Sequence, residues 1–128
     1  MLAIYHRSDI IKLPNKGEDR MKQEIICGCY LVATITCDIN DERIHYWIKV
    51  GKSSGVKSRI KTYYTYNPGI QALDFRAAHW EKMHELEYKC HKKLLSICIQ
   101  VASNTHEWFE VTADDFYKIK EFGFKYFD

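Results

Sequence analysis

The sequence predicts an α/β (α+β) fold: a small central mixed or antiparallel sheet of about three strands flanked by helices, with a C-terminal hairpin and helix. Three observations carry that expectation. Residues 25–37 and 44–51 alternate in polarity with a period of two, the pattern of half-buried strands. Residues 80–95 set Trp80, Met83, Leu86, Cys90 and Leu94 on one stripe at about 100° per residue, the pattern of an amphipathic helix. The whole chain has 128 residues, the size of one domain.

Residues 1–24 read as an N-terminal extension ending in the polar stretch Asn15 to Glu24, with an added strand around Ile10 to Leu13. Residues 25–128 form the body. In the first strand Ile25, Cys27, Cys29, Leu31, Ala33, Ile35 and Cys37 make one apolar face, and Tyr30 points to the mixed face. A turn at Asp38 to Arg43 leads to an antiparallel partner in which Lys49 shares the face of Tyr30. Lys-Ser-Ser-Gly after Gly51 breaks the strand, and Val56 to Tyr64 follows as a short basic helix. Asn67-Pro68-Gly69 turns the chain into a third strand, Ile70 to Ala78, with Ile70, Ala72, Asp74 and Arg76 expected on one side. Beyond the long helix, Ile97 to Ala102 and His106 to Val111 form a hairpin across Ser103-Asn104-Thr105. Trp108 and Phe109 are expected in the core under a last helix, Ala113 to Phe122. Thr112 caps that helix, Asp114 and Asp115 favour its first turn, and Gly123 stops it.

With 46% hydrophobic residues the chain can bury an ordinary core, which excludes intrinsic disorder. Its longest apolar run, Cys27 to Cys37, falls far short of the ~20 residues of a membrane span, so no membrane partner is expected. His6, Arg7 and Asp9 break up Met1 to Ile11 as a signal peptide, and five cysteines, an odd number, fit free thiols in a reducing compartment, cytoplasmic or nuclear. Cys27, Cys29 and Cys90 with His91 offer zinc-ligand types, but Cys27 and Cys29 lie on the apolar strand face and read as buried thiols. From Arg43 to Leu73 there is no acidic residue and a charge of +6, while the remaining 13 basic and 17 acidic residues carry −4. Such asymmetry points to an anionic partner, nucleic acid first, with Lys52, Lys57 and Lys61 as backbone contacts.

Tyr30, Lys49, Arg59 and Glu87 stand on four different elements, and they meet only if both helices cover the mixed face. Together they suit phosphodiester hydrolysis: a divalent ion on the carboxylate, cations on the phosphate, and phenol or lysine at the water. Glu87 falls inside the apolar stripe of its helix, where a lone charge is costly. His91, four residues later, shares that helix face. It is either a partner of the metal carboxylate or a phosphate contact, or a partly buried helix histidine. Tyr63, Tyr64 and Tyr66 are candidate base-stacking rings beside the basic helix.

Gly28-Cys29-Tyr30 followed by Lys49-Val50-Gly51, then Arg59 and the late Glu87, resembles the GIY-YIG nuclease superfamily. Ile48 to Lys52, Glu85 to His91 and Glu107-Trp108-Phe109 resemble its phage- and virus-associated branch. The resemblance spans residues 26–122. It implies Mg²⁺-dependent (or Mn²⁺-dependent) DNA hydrolysis with no small-molecule cofactor: Tyr30 at the water, Arg59 on the scissile phosphate, Glu87 as metal ligand. Lys49 replaces the superfamily's tyrosine and could hold the same water, and Cys29 replaces isoleucine. Asn104 is not assigned to the superfamily's late asparagine. The function expected is that of a metal-dependent DNA endonuclease. The alternatives are a catalytically weak or inactive nuclease-like DNA-binding module, and a domain whose basic face binds an acidic protein.

Overall fold

The computed structural model describes residues 27–103 and 107–128. The extension 1–24, with its expected strand at Ile10 to Leu13, lies outside the described residues, as do Ile25, Ile26 and the hairpin residues Asn104 to His106. The elements run β1 (Gly28–Asp38), β2 (Arg43–Ser53), α1 (Val56–Tyr66), β3 (Gln71–Ala77), α2 (Trp80–Ile97), β4 (Gln100–Val101), β5 (Phe109–Val111) and α3 (Ala113–Phe122), closed by a 3₁₀ turn at Gly123–Phe127.

The sheet has five antiparallel strands rather than about three, in the order β3-β1-β2-β5-β4. The C-terminal hairpin is part of it. Tyr46 to Ile48 of β2 pair with Phe109 to Val111 of β5, which satisfies the backbone groups of β2 and buries Phe109 and Val111.

Both sheet faces are covered. Cys29, Leu31 and Ala33 of β1 and Ile48 and Val50 of β2 pack under Met83, Cys90 and Leu94 of α2 and Phe116 and Ile119 of α3. The opposite face carries Tyr30, Val32 and Ala72 under Val56 and Ile60 of α1. The expectation that α1 and α2 share the mixed face is therefore corrected: they lie on opposite faces. β1 is buried on both sides from Gly28 to Thr34, because α1 covers its mixed face, and exposed beyond.

A register shift between Leu31 and Val32 places a bulge opposite β3 and breaks its alternation. Ile70 and Ala72 join the α1 side together with Phe75, whereas Leu73 packs on the α2 side and Asp74 pairs with Leu31. The expected single row Ile70, Ala72, Asp74, Arg76 does not form. Asp74 instead anchors the C-terminal turn, where its Oδ2 accepts the backbone N–H of Phe124 at 2.9 Å, beside Gly123 at φ +60°. A Cβ on Gly123 would fall 2.2 Å from that oxygen, so only glycine serves there. Arg76 pairs with Asp128 at 3.1 Å. The cap on α3 forms as expected, Asp115 N–H donating to Thr112 Oγ1 at 3.2 Å.

Burial pushes the thiols of Cys29 and Cys90 up to about 12. Cys29 Sγ donates to the Met83 carbonyl at 3.2 Å, and all five cysteines are free. Cys29 and Cys90 are buried, protonated core thiols. Among the described residues no helix is long and apolar enough to cross a membrane.

One buried polar group ties the β1–β2 turn to β5. His45 Nδ1 meets Glu110 Oε2 at 2.7 Å and Nε2 meets Asp41 Oδ2 at 3.0 Å. Two carboxylates on two ring nitrogens hold the imidazolium, and the Glu110 bond, ahead of Asp41, raises the His45 pKa above its ordinary value. A raised folded-state pKa gives stability that is fully present below the unfolded value near 6.5 and lost as pH rises through the folded value. The urea midpoint should fall over that interval in the native chain, and His45→Gln should flatten the dependence. An unchanged pH profile in the variant would contradict this.

Candidate functional site

The site forms where β2 runs out. Gly51 lies opposite Tyr30 and Lys49 opposite Val32, so the register puts Tyr30 and Lys49 on one face. Beyond Gly51 the chain turns at Ser53, whose Oγ accepts the Gly55 N–H at 3.0 Å, and α1 starts at Val56. α1 comes to this end from one face and α2 from the other. Between them opens a cleft of about 360 Å³ lined by Tyr30, Lys49, Lys52, Arg59, Tyr63, Trp80, Glu87 and Glu107, together with Gly51, Ser53 and Ser54.

Gly51 makes the geometry possible. A Cβ built on it would fall 2.3 Å from both Cζ and the hydroxyl of Tyr30, so the ring lies across bare backbone. The Tyr30 hydroxyl shares a hydrogen bond of 2.9 Å with the Tyr63 hydroxyl. Burial, and next that bond, raise the Tyr30 pKa far above that of free tyrosine, and the Arg59 charge opposes the rise. Tyr30 is a neutral phenol at pH 7.

The cations are held differently. Lys49 is 4% exposed, with Nζ 3.1 Å from Glu107 Oε1 and 5.9 Å from the centroid of the Tyr63 ring. Lys52, on the opposite strand face, donates to Glu87 Oε1 at 2.6 Å. Arg59 is exposed and makes no ion pair among the described residues. Its guanidinium is open to an anion entering the cleft.

Four of the sequence candidates, Tyr30, Lys49, Arg59 and Glu87, thus line one cleft, and Lys52 joins them. Glu87 is not stranded in the apolar stripe. The buried residues of α2 are Met83, Cys90 and Leu94, and Glu87 stands at their border, paired with Lys52 rather than with Arg59 or Arg76. His91 is outside the lining. One turn past Glu87, its ring rotates toward the sheet, donates from Nε2 to the Val50 carbonyl at 2.7 Å and packs 5.6 Å from Phe109. Lys57 and Lys61, one turn apart on α1, also stand outside the cleft on a different side of the helix from Arg59. Tyr64 is structural, its hydroxyl accepting the Ala72 N–H at 3.2 Å.

Three lining residues stand outside the catalytic set that the sequence singles out. Tyr63 reads there only as a stacking ring, and Trp80 as part of the apolar stripe, although it is 61% exposed at the cleft mouth. Glu107 precedes β5, whose pairing with β2 brings it to Lys49, and its one sequence signal is the Glu107-Trp108-Phe109 string.

The donor set suits a small hard cation. Glu87 is 18% exposed at its side chain, and Oε2 takes no hydrogen bond among the described residues. Mg²⁺ is commonly bound through one or two carboxylates, completing its shell with water and substrate phosphate, so a carboxylate oxygen open to a cleft that also carries cations fits it.

No curated protein and no solved structure matches the chain. The T5orf172 domain model matches residues 29–122, a span holding every side chain of the cleft. The chain therefore belongs to the T5orf172 domain family, a phage-associated, nuclease-like family that points to DNA as its partner.

Proposed function

We propose that the chain is a divalent-metal-dependent DNA endonuclease of the GIY-YIG type that its two strand motifs resemble. The observation that supports this most is the convergence of Tyr30, Lys49, Arg59 and Glu87, from four separate elements, on one cleft. Glu87 would hold Mg²⁺, which when bound supplies charge neutralisation at the leaving oxygen. Arg59 grips two oxygens of the scissile phosphate with its planar fork. Lys49, desolvated between Glu107 and the Tyr63 ring, and the neutral phenol of Tyr30 orient the attacking water on the other side. The raised Tyr30 pKa makes the phenol a hydrogen-bonding group that positions water, not a standing phenolate.

Supercoiled plasmid incubated with the chain should be nicked with Mg²⁺ or Mn²⁺ and left intact in EDTA. Arg59→Lys should lower the nicking rate at least ~100-fold while keeping DNA affinity within about threefold, because a lysine keeps the charge and loses the fork. Equal losses in rate and affinity would reduce Arg59 to an ordinary backbone contact.

The closed pairs Lys52–Glu87 and Lys49–Glu107 favour a second reading, a nuclease-like DNA-binding module without turnover. Salt-sensitive DNA binding with no nicking in either metal would select it.

A further inference from the structure

A second concavity adjoins the cleft. On the sheet face covered by α1, a groove of about 270 Å³ runs between Trp47 of β2, Trp108 ahead of β5, and Tyr63 and Asn67 at the end of α1. Trp47 lies two residues before Lys49 on the same face, opposite Thr34. Tyr63 lines both cavities, so one ring separates the cleft from the groove. The sequence places Trp108 in the core with Phe109. Phe109 does pack under α2 and α3, but Trp108, the adjacent residue in the strand approach, takes the other face and is left half-buried at the groove.

The lining defines its occupant. It carries three large aromatic rings and no charged side chain, and much of it belongs to the segment 43–73, which has no acidic residue. The Trp47 indole is fixed beforehand, its Nε1–H donating to Thr36 Oγ1 at 3.0 Å. Asn67, which also lines the groove, accepts the Gly69 N–H through Oδ1 at 3.0 Å, so its amide N–H₂ is not used in that bond. A flat, neutral, hydrogen-bonding group tethered to an anionic backbone fits such walls, and a nucleobase is that group.

We propose that the groove between Trp47, Tyr63 and Trp108 holds one unstacked nucleobase of the strand whose phosphate enters the cleft, so that the domain prefers DNA with unpaired bases. The inference rests on the cleft being the DNA backbone site. A base inside a duplex is paired and stacked on its neighbours and cannot enter a groove walled by rings without being extruded. A base in a single strand, flap or junction enters at little cost.

The test measures fluorescence anisotropy of a labelled short oligothymidine and of a duplex of the same length, in EDTA so that no strand is cut. Trp108→Leu keeps apolar bulk and removes the stacking face, and Trp108→Phe keeps a ring. Trp108→Leu should weaken single-strand binding roughly tenfold or more, with duplex binding changed less than about twofold, and Trp108→Phe should recover most of the loss. Trp47→Leu, with thermal melts confirming the fold of each variant, should repeat the pattern from the other wall. Arg59→Ala should weaken both DNA forms. If Arg59→Ala weakens both and the tryptophan variants change neither, or change both equally, the groove proposal is overturned and the cleft reading stands. If Arg59→Ala leaves both unchanged, the cleft reading falls and the groove proposal with it.

Discussion

Glu87→Gln should abolish Mg²⁺-dependent nicking, by roughly a thousandfold or more, while the chain stays folded. The carboxylate is the metal-ligand candidate of the cleft, and several kcal/mol of transition-state stabilisation correspond to that loss at about 1.4 kcal/mol per tenfold. Position in an apolar stripe alone would suggest that removing the charge leaves stability unchanged or improved. The ion pair with Lys52 at 2.6 Å reverses that sign. The pair is partly open to water, 29% and 18% exposed, and glutamine still accepts a hydrogen bond from Lys52. The expected cost is about 1 kcal/mol, well below the roughly 3–5 kcal/mol of breaking a fully buried pair. In EDTA the melting temperature should fall by about 3–5 °C. A fall beyond about 10 °C would identify Glu87 as a structural ion-pair partner first and would remove the support for a metal role.

Gly51→Ala should damage both stability and activity. Its Cβ would sit 2.3 Å from two atoms of the Tyr30 side chain, and neither side can yield cheaply. Gly51 is held in the β1–β2 ladder, and the Tyr30 ring is 3% exposed among Val32, Val56 and Ile60. Overpacking of this kind costs about 3 kcal/mol, or about 10 °C in melting temperature for a domain of this size. Nicking should be lost even well below the transition, because the ring can relieve the clash only by giving up its bond to Tyr63 and its place over the strand. The double variant Gly51→Ala with Tyr30→Ala should cost less stability than the sum of the two single changes, since both act on one contact. A Gly51→Ala chain that melts with wild type would show that the backbone gives way and that the Tyr30 position is not set by Gly51.

β1 and β2 are legible in the sequence because a period of two is a local property, and the shared face of Tyr30 and Lys49 follows from antiparallel register once the turn at Asp38 to Arg43 is recognised. The α3 boundaries are legible for the same reason, since Thr112 and Gly123 act through neighbouring backbone groups. The faces of β3 are not, because its bulge answers to β1 rather than to its own neighbours, and the alternation expected after Ala72 is lost. The place of β5 depends on the free edge of β2 about sixty residues earlier, so in the sequence the hairpin looks separate from the sheet.

The mixed face of the strands and the motif resemblance together single out Tyr30, Lys49, Arg59 and Glu87 as a phosphodiester chemistry set, and the charge run from Arg43 to Leu73 points to an anionic partner. How they meet depends on the fold. α1 and α2 approach the end of β2 from opposite faces, which pairs Glu87 with Lys52, leaves Arg59 open and turns His91 inward to the Val50 carbonyl. Local sequence carries side-chain type and periodicity, because both are properties of adjacent residues. The partner of a charge and the side on which a helix docks are set by long-range burial, in which apolar faces must be covered before any polar group finds its neighbour.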